Sequence, residues 1–217
     1  MKEFKTVSLA DQVFEKLEND IIIGVYAKGE ILTELKLVEQ LGVSRTPIRE
    51  ALRRLQQERL VEDTVKGTVV LGITSMDLLD IMTIREKIEG LAAFYAAKHL
   101  EGAEKENLEQ ISALQDFYYT KKDVEHLRQI DDRFHDTIYE LSNRPVLRDM
   151  LLPLHRKTQR YRKVSIEDPK RLEKSVAEHK AIFDAIVEGK AELAQELMTK
   201  HIQNAKDNMI ARFQTNE

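Results

Sequence analysis

From Thr74 onward the chain keeps a helical hydrophobic period almost without interruption, and that run limits the fold more than any single motif does. Breaks at Glu101-Gly102, Lys121 to Asp123, Asn143 to Pro145, Asp168-Pro169 and Glu188-Gly189-Lys190 divide it into six helices, at about 76–99, 104–120, 123–142, 145–164, 170–188 and 190–213. The connections are short, which makes sequential helices antiparallel neighbours in a bundle. Composition agrees: 8 Gly and 4 Pro in 217 residues, no Trp and 33% charged residues favour long helices over a turn-rich β architecture.

The segment before Thr74 reads differently. Ser8 can cap a first helix carrying Val13, Phe14, Leu17, Ile21 and Ile22, and Gly24 stops it. A turn, VYAKGEIL, leads to Thr33, which caps a helix holding Leu35, Val38 and Leu41 and closed by Gly42. Ser44 then caps SRTPIREALRRLQQERL, where Pro47 sits harmlessly in the first turn and Ile48, Leu52 and Leu55 share a face. LVEDTVKGTVVLGI forms two β-rich runs around Lys66-Gly67, a hairpin signal because glycine tolerates φ > 0. Helix, helix-turn-helix and hairpin together make a winged helix. The expected fold is therefore mainly α: a winged helix-turn-helix domain over 1–73 joined directly to an antiparallel six-helix bundle over 74–217.

Several function classes are excluded or disfavoured at this level. The absence of Cys removes disulfides, thiolate nucleophiles and cysteine-bearing metal sites, so any metal must be held by His and carboxylates. The first twenty residues are too charged for a signal peptide, and no apolar run spans a bilayer, which leads us to expect a soluble, cytoplasmic protein without a membrane partner. Net charge is -4, so binding to nucleic acid has to come from a local patch.

Such a patch is present. In a helix-turn-helix the second helix enters the major groove, where arginine donates to guanine and hydroxyls at the helix start meet phosphate or base edges. Ser44, Arg45, Thr46 and Arg49 occupy those positions, and a tip of Lys66, Gly67 and Thr68 suits a neighbouring minor groove or phosphate. The competing reading makes Arg45, Arg49, Arg53 and Arg54 a solvated face paired with Glu50 and Glu58. Agreement among cap, proline, arginines and wing favours DNA. EQLGVSRTPIREALRRLQQERLVE followed by KGTVV closely resembles the signature of the GntR family of bacterial transcription regulators. The helical half resembles the effector-binding FCD-type domain of its FadR-like branch, with a helix count closer to the VanR-like subgroup. The resemblance carries DNA contacts onto Arg45, Thr46, Arg49 and Gly67. Where many members have Arg or Lys early in the helix before the turn, this chain has Leu35 followed by Lys36.

In the helical half, Asp131 and His135 are four apart and border the apolar series Leu127, Ile130, Phe134, Ile138 and Leu141. His179 lies on the stripe of Val176, Ile182, Phe183 and Ile186, and His201 on that of Ala194, Leu197 and Ala205. Three imidazoles and one carboxylate on inward faces suit a divalent ion such as Zn²⁺, Ni²⁺ or Mn²⁺ with two positions left open; each histidine taken singly also reads as a buried, hydrogen-bonded core residue. The metal-binding version of the effector domain has a similar spacing, which implies ligand roles for Asp131, His135, His179 and His201. His99, His126 and His155 are read as surface or capping residues, Glu178 as surface, and the run from His155 to Lys163 as a mostly solvated face from which Arg156 or Arg160 can reach inward.

The family's Arg-Glu segment implies effector binding at Arg85, whose alternative is an i,i+4 pair with Glu89. The expected protein is a homodimer on a palindromic double-stranded operator, its affinity set by a small organic acid bound at or near the metal. Two alternatives stand beside it: a metal-dependent enzyme that uses the winged helix as an interaction module, and a regulator with a purely structural metal. No H-E-x-x-H motif supplies a general base, so we expect no enzyme and no catalytic residue.

Overall fold

The structure is a computed structural model that describes residues 8–159, 161–162 and 168–214. It divides into two compact units, one ending at Thr74 and one beginning at Ser75.

The first unit opens with α1 (Leu9–Ile23). Its N-terminus is closed by a reciprocal box in which the Ser8 hydroxyl accepts from the Asp11 amide and the Asp11 carboxylate accepts from the Ser8 amide. Gly24, at φ +83°, ends it in the left-handed conformation. Then come β1 (Ile31–Leu32), α2 (Glu34–Leu41), α3 (Arg45–Gln57), β2 (Val61–Thr64) and β3 (Gly67–Val70). The expected hairpin is present, with Thr64 opposite Gly67, but β1 adds a third strand on the far side of β3, pairing Ile31 with Val69 and Leu32 with Thr68. Two residues of strand leave no alternation to read, so sequence showed only a turn there.

Leu17, Leu37, Ile48, Leu55, Leu60 and Val70 meet in one apolar core at 1% exposure or less. Gly67 sits where β1 presses closest: at φ +128°, an added Cβ would lie 2.9 Å from the Ile31 side chain and 3.2 Å from the Leu32 carbonyl.

Ser44 stands at the N-cap of α3, yet its hydroxyl makes no capping hydrogen bond, contrary to expectation. The position it would ordinarily cap, the third of the helix, is Pro47, which has no N–H to give.

The second unit is a bundle of α4 (Ser75–His99), α5 (Gly102–Lys121), α6 (Val124–Leu141), α7 (Pro145–Lys157), α8 (Pro169–Val187) and α9 (Ala191–Gln214). α4 and α9 lie against each other, and Gly90 lets them approach: a Cβ there would meet the Thr199 hydroxyl and stand 2.8 Å from the Gln195 carbonyl. α7 is shorter than the expected 145–164 helix. Its break falls at Thr158, whose hydroxyl donates back to the His155 carbonyl at 2.8 Å and competes with the helical ladder. Residues 161–162 are helical again, and 163–164 lie outside the described residues.

Candidate functional site

On the winged-helix unit, Ser44, Arg45, Thr46 and Arg49 are all exposed along the first turns of α3. Arg49 is held by Glu34 of α2, with Nε 2.7 Å from Oε1, and this ion pair raises the arginine and lowers the glutamate from their ordinary values. Arg54 is committed elsewhere: it pairs with Asp11 at 2.6 Å and lies 3.9 Å over the Phe14 ring. Lys36 bonds Glu30 at 3.1 Å, and Leu35 beside it is 65% exposed.

At the wing, Thr64 braces the loop by donating to the Gly67 carbonyl and accepting from the Lys66 amide, which leaves Val65 and Lys66 outermost. Thr68 departs from the expected contact set. Its side chain turns into the sheet, 8% exposed, and its hydroxyl donates to Asp63 at 2.8 Å.

In the helical unit, α6 contributes Asp131 and His135, α8 His179 and α9 His201, all buried. One ring nitrogen of each histidine lies within 4.8 Å of the others. Each Nδ1 is engaged from another helix. His135 Nδ1 lies 2.5 Å from Glu89 of α4, His179 Nδ1 2.8 Å from the Gln115 amide of α5, and His201 Nδ1 2.7 Å from Glu178 of α8. Carboxylates on Nδ1–H leave the Nε2 lone pairs of His135 and His201 for an ion, the arrangement typical of histidine ligands; at His179 the Gln115 Nε2 amide donates to Nδ1, which puts the ring proton on Nε2, and a ligand role there requires the Gln115 amide to turn its oxygen to the ring. The Nε2 atoms of His179 and His201 are 3.2 Å apart, and Asp131 Oδ1 is 3.7 Å from His179 Nε2. Two nitrogens each about 2.0–2.1 Å from one ion subtend roughly 3.0–3.4 Å, so the donor set fits a first-row divalent cation. Burial, together with the neighbouring imidazoles, pushes His179 well below its ordinary pKa; burial lowers His135 too, against the pull of Glu89. Both rings are therefore neutral and able to ligate.

Arg85 is 2% exposed, on the wall of a cavity of about 50 Å³ shared with Asp131, His135, Arg162, Arg171 and His201. Of the two sequence readings of Arg85, the i,i+4 pair with Glu89 is present. Arg85 lines the cavity, and the pair runs through Nε at 2.9 Å and Nη2 at 3.3 Å, while Nη1 donates to Thr158 at 3.1 Å. Arg162 was not singled out from sequence. Its Nη2 pairs with Asp132 and its Nη1 lies 3.5 Å from Asp131, but Nε and Nη1 are buried without a hydrogen-bond partner.

Three sequence expectations need correction. His155 is not at the surface: it is 1% exposed, with Nδ1 2.8 Å from Asp136 and Nε2 unpartnered. Glu178 is half-buried and orients His201 while accepting from Arg171 at 2.9 Å and Asn204 at 2.8 Å. The stretch from His155 is not chiefly a solvated face, since Thr158 is buried and Arg162 half-buried; Arg156 is exposed, and Arg160 lies outside the described residues. His99 and His126 are exposed, and His126 bonds the Asp123 carboxylate that caps α6. No helix among the described residues is long and apolar enough to cross a membrane.

Known proteins match both units. The profile of the FCD domain matches residues 80–204, and that of bacterial regulatory proteins of the gntR family matches residues 9–70. The HTH-type transcriptional repressor RspR of Escherichia coli (strain K12) is 25% identical over 94% of this chain and 90% of its own length. The HTH-type transcriptional regulator McbR of the same strain is 31% identical over 69% of this chain and 68% of its own. Among solved structures, E. coli McbR/YncC superposes with a TM-score of 0.80 at 25% identity, covering 96% of this chain and 100% of the other.

Proposed function

Because the chain belongs to the GntR family of bacterial regulatory proteins and carries an FCD domain, we propose that it is a transcription regulator whose affinity for DNA is set by a small carboxylate bound beside a divalent metal. DNA binding and transcriptional regulation come with the family; the metal, the acid and the residue roles are our reading. α3 enters the major groove. Arg45 and Arg49 read base edges, and Thr46 and the uncapped Ser44 hydroxyl meet phosphate or base. Lys66 and Gly67 serve the wing, and Thr68 braces it rather than touching DNA. Members of the family usually act as dimers; we assign a two-fold arrangement on a palindromic operator and a cytoplasmic setting.

Asp131, His135, His179 and His201 would hold the ion, which on this ligand set is Zn²⁺, Ni²⁺ or Mn²⁺ and supplies a Lewis-acidic position for an anion. The observation that carries this reading is the set of three imidazoles whose Nδ1 atoms are each engaged by a side chain from another helix, which is more ordering than a hydrophobic core requires. Arg162, with unspent N–H groups, and Arg85 beside it would hold the effector carboxylate. The effector acts by preferring one arrangement of the dimer, as linkage demands.

Elemental analysis of the full-length protein beside His135→Ala and His179→Ala tests the centre. About one metal per chain, lost in both variants, is expected. No metal after incubation with Zn²⁺, Ni²⁺ and Mn²⁺ would return these histidines to the core.

A further inference from the structure

A carboxylate stands among the residues assigned to DNA. Glu34, the first residue of α2, accepts from Arg49 Nε of α3 at 2.7 Å, while the Arg49 side chain stays 62% exposed. The Arg49 hydrogen bond, with the charge of Arg45 behind it, holds the Glu34 carboxyl below its ordinary value, so it is ionised at neutral pH. An anion in that place repels the phosphates that the surrounding arginines attract. Its structural duties do not explain it: an acidic first turn suits the dipole of α2, and an exposed ion pair adds little to stability.

Glu34 also stands on a fixed base. β1 pairs Leu32 with Thr68, and the next residue, Thr33, caps α2 by accepting from the Lys36 amide at 3.3 Å. A Cβ at Gly67 would lie 3.7 Å from the Thr33 methyl, so the start of α2 is lodged beside the wing. Lys36, the one cation of α2, is occupied by Glu30 at 3.1 Å and does not compete for Glu34.

The contact decides which edge of the guanidinium is free. Arginine carries five N–H donors in a planar fork. With Nε given to Glu34, the Nη1 and Nη2 groups at the end of the fork remain, and guanine O6 and N7 accept two such parallel donors. An arginine on a free stem loses rotamer freedom when it docks, which lowers affinity by about 3–10-fold. Here the ion pair orders the side chain before DNA arrives.

We propose that Glu34 is a positioning residue for base reading, holding Arg49 by Nε so that its Nη1–Nη2 edge meets one guanine, and that it raises selectivity at that base rather than affinity for DNA in general. This rests on the base-reading role of Arg49 proposed above.

Selection of the full-length protein on a random double-stranded DNA library tests the idea, followed by titration of the preferred duplex, its single-base replacements and the unselected library. In the wild type one guanine should matter by about 5–150-fold, and Arg49→Ala should abolish that preference. Glu34→Ala should cut the same preference by about 3–10-fold and leave the preference lost in Arg45→Ala within about twofold of wild type. It should bind the unselected library as well as the wild type or better, since a repelling charge has gone. Glu34→Gln, whose amide oxygen can accept the Nε–H, should recover part of the guanine preference. A preference in Glu34→Ala within about twofold of wild type overturns the proposal. So does a loss spread over every position with weaker binding to the library, which is the behaviour of a merely structural ion pair. If Arg49→Ala leaves every base preference intact, the base-reading role of Arg49 fails and the positioning role falls with it.

Discussion

Replacing Glu89 by Gln should unsettle the helical unit more than any change at its surface. The carboxylate is fully buried and receives three donors: Arg85 Nε at 2.9 Å, Arg85 Nη2 at 3.3 Å and His135 Nδ1 at 2.5 Å. These positive and hydrogen-bonding neighbours hold it far below the usual carboxylate range despite its burial. Glutamine is nearly isosteric but neutral, and its NH₂ must face a guanidinium or imidazole N–H. Arg85, 2% exposed, is then left with no full counter-charge. Removing one member of a buried pair costs about 3–5 kcal/mol, a large share of the roughly 5–15 kcal/mol that holds a domain together. With urea m-values of about 1–3 kcal/mol/M, the midpoint of the metal-stripped protein should fall by on the order of 1–5 M, read by circular dichroism at pH 7.5. The Arg85→Met/Glu89→Gln double variant, which carries neither charge, should recover much of the loss. A single variant within about 1 kcal/mol of wild type, or a double variant no better than the single, would refute this account of the pair.

Acid should weaken the metal-stripped protein through its buried histidines, offset only in part by Asp136, whose carboxyl is pushed up to about 6 by burial and which takes up its proton in the folded state first. His135, His155 and His179 are held below their ordinary value of 6.5, so below that pH the unfolded chain takes up protons that the folded one refuses, and stability falls as pH falls. Each ring contributes up to about 1.4 kcal/mol per pH unit in that window, and urea midpoints flat between pH 7.5 and 5.5 would contradict it. On DNA, Arg45→Ala and Arg49→Ala should each cost about 1–3 kcal/mol and relax preference at one base, whereas Lys66→Ala should weaken all sequences alike and lower the salt slope by about 1; binding isotherms at several salt concentrations separate the two behaviours. Gln115→Leu strips the buried partner from His179 and should lower Zn²⁺ affinity about 10–100-fold in a competition titration, with unchanged affinity refuting an orienting role.

The features legible in sequence are those whose signal is local. The DNA-reading surface is one helix start and one hairpin tip, so Ser44 to Arg49 and Lys66-Gly67 announce themselves within a few residues. Asp131 and His135 are four apart on an apolar face, and His179 and His201 each fall on a stripe. The side chains that orient those ligands are not legible in this way. Glu89, Gln115 and Glu178 meet their histidines across 46, 64 and 23 residues, and no periodicity ties them together. His155 did leave a trace: Leu151, His155, Thr158 and Arg162 step along one helical face at spacings of four, three and four, three of them buried and the fourth half-buried. The charged run HRKTQRYRK hid that face, because a mean over the stretch reports its solvated side. β1 was hidden by brevity, and the idle Ser44 hydroxyl by the missing N–H of a proline three residues on.

The third strand alters what the wing can be. A two-stranded ribbon standing alone is marginal in water. Here β3 is gripped on both edges, and Gly67 lets β1 close against it. Fixing a residue's backbone costs about 1–2 kcal/mol, and for the strands of this wing that cost is met when the domain folds. Only Val65 and Lys66, beyond the last cross-strand pair, remain to be ordered when DNA arrives. The wing therefore approaches its groove as a preset template rather than a searching arm, and its contribution to affinity should show in how slowly the complex comes apart.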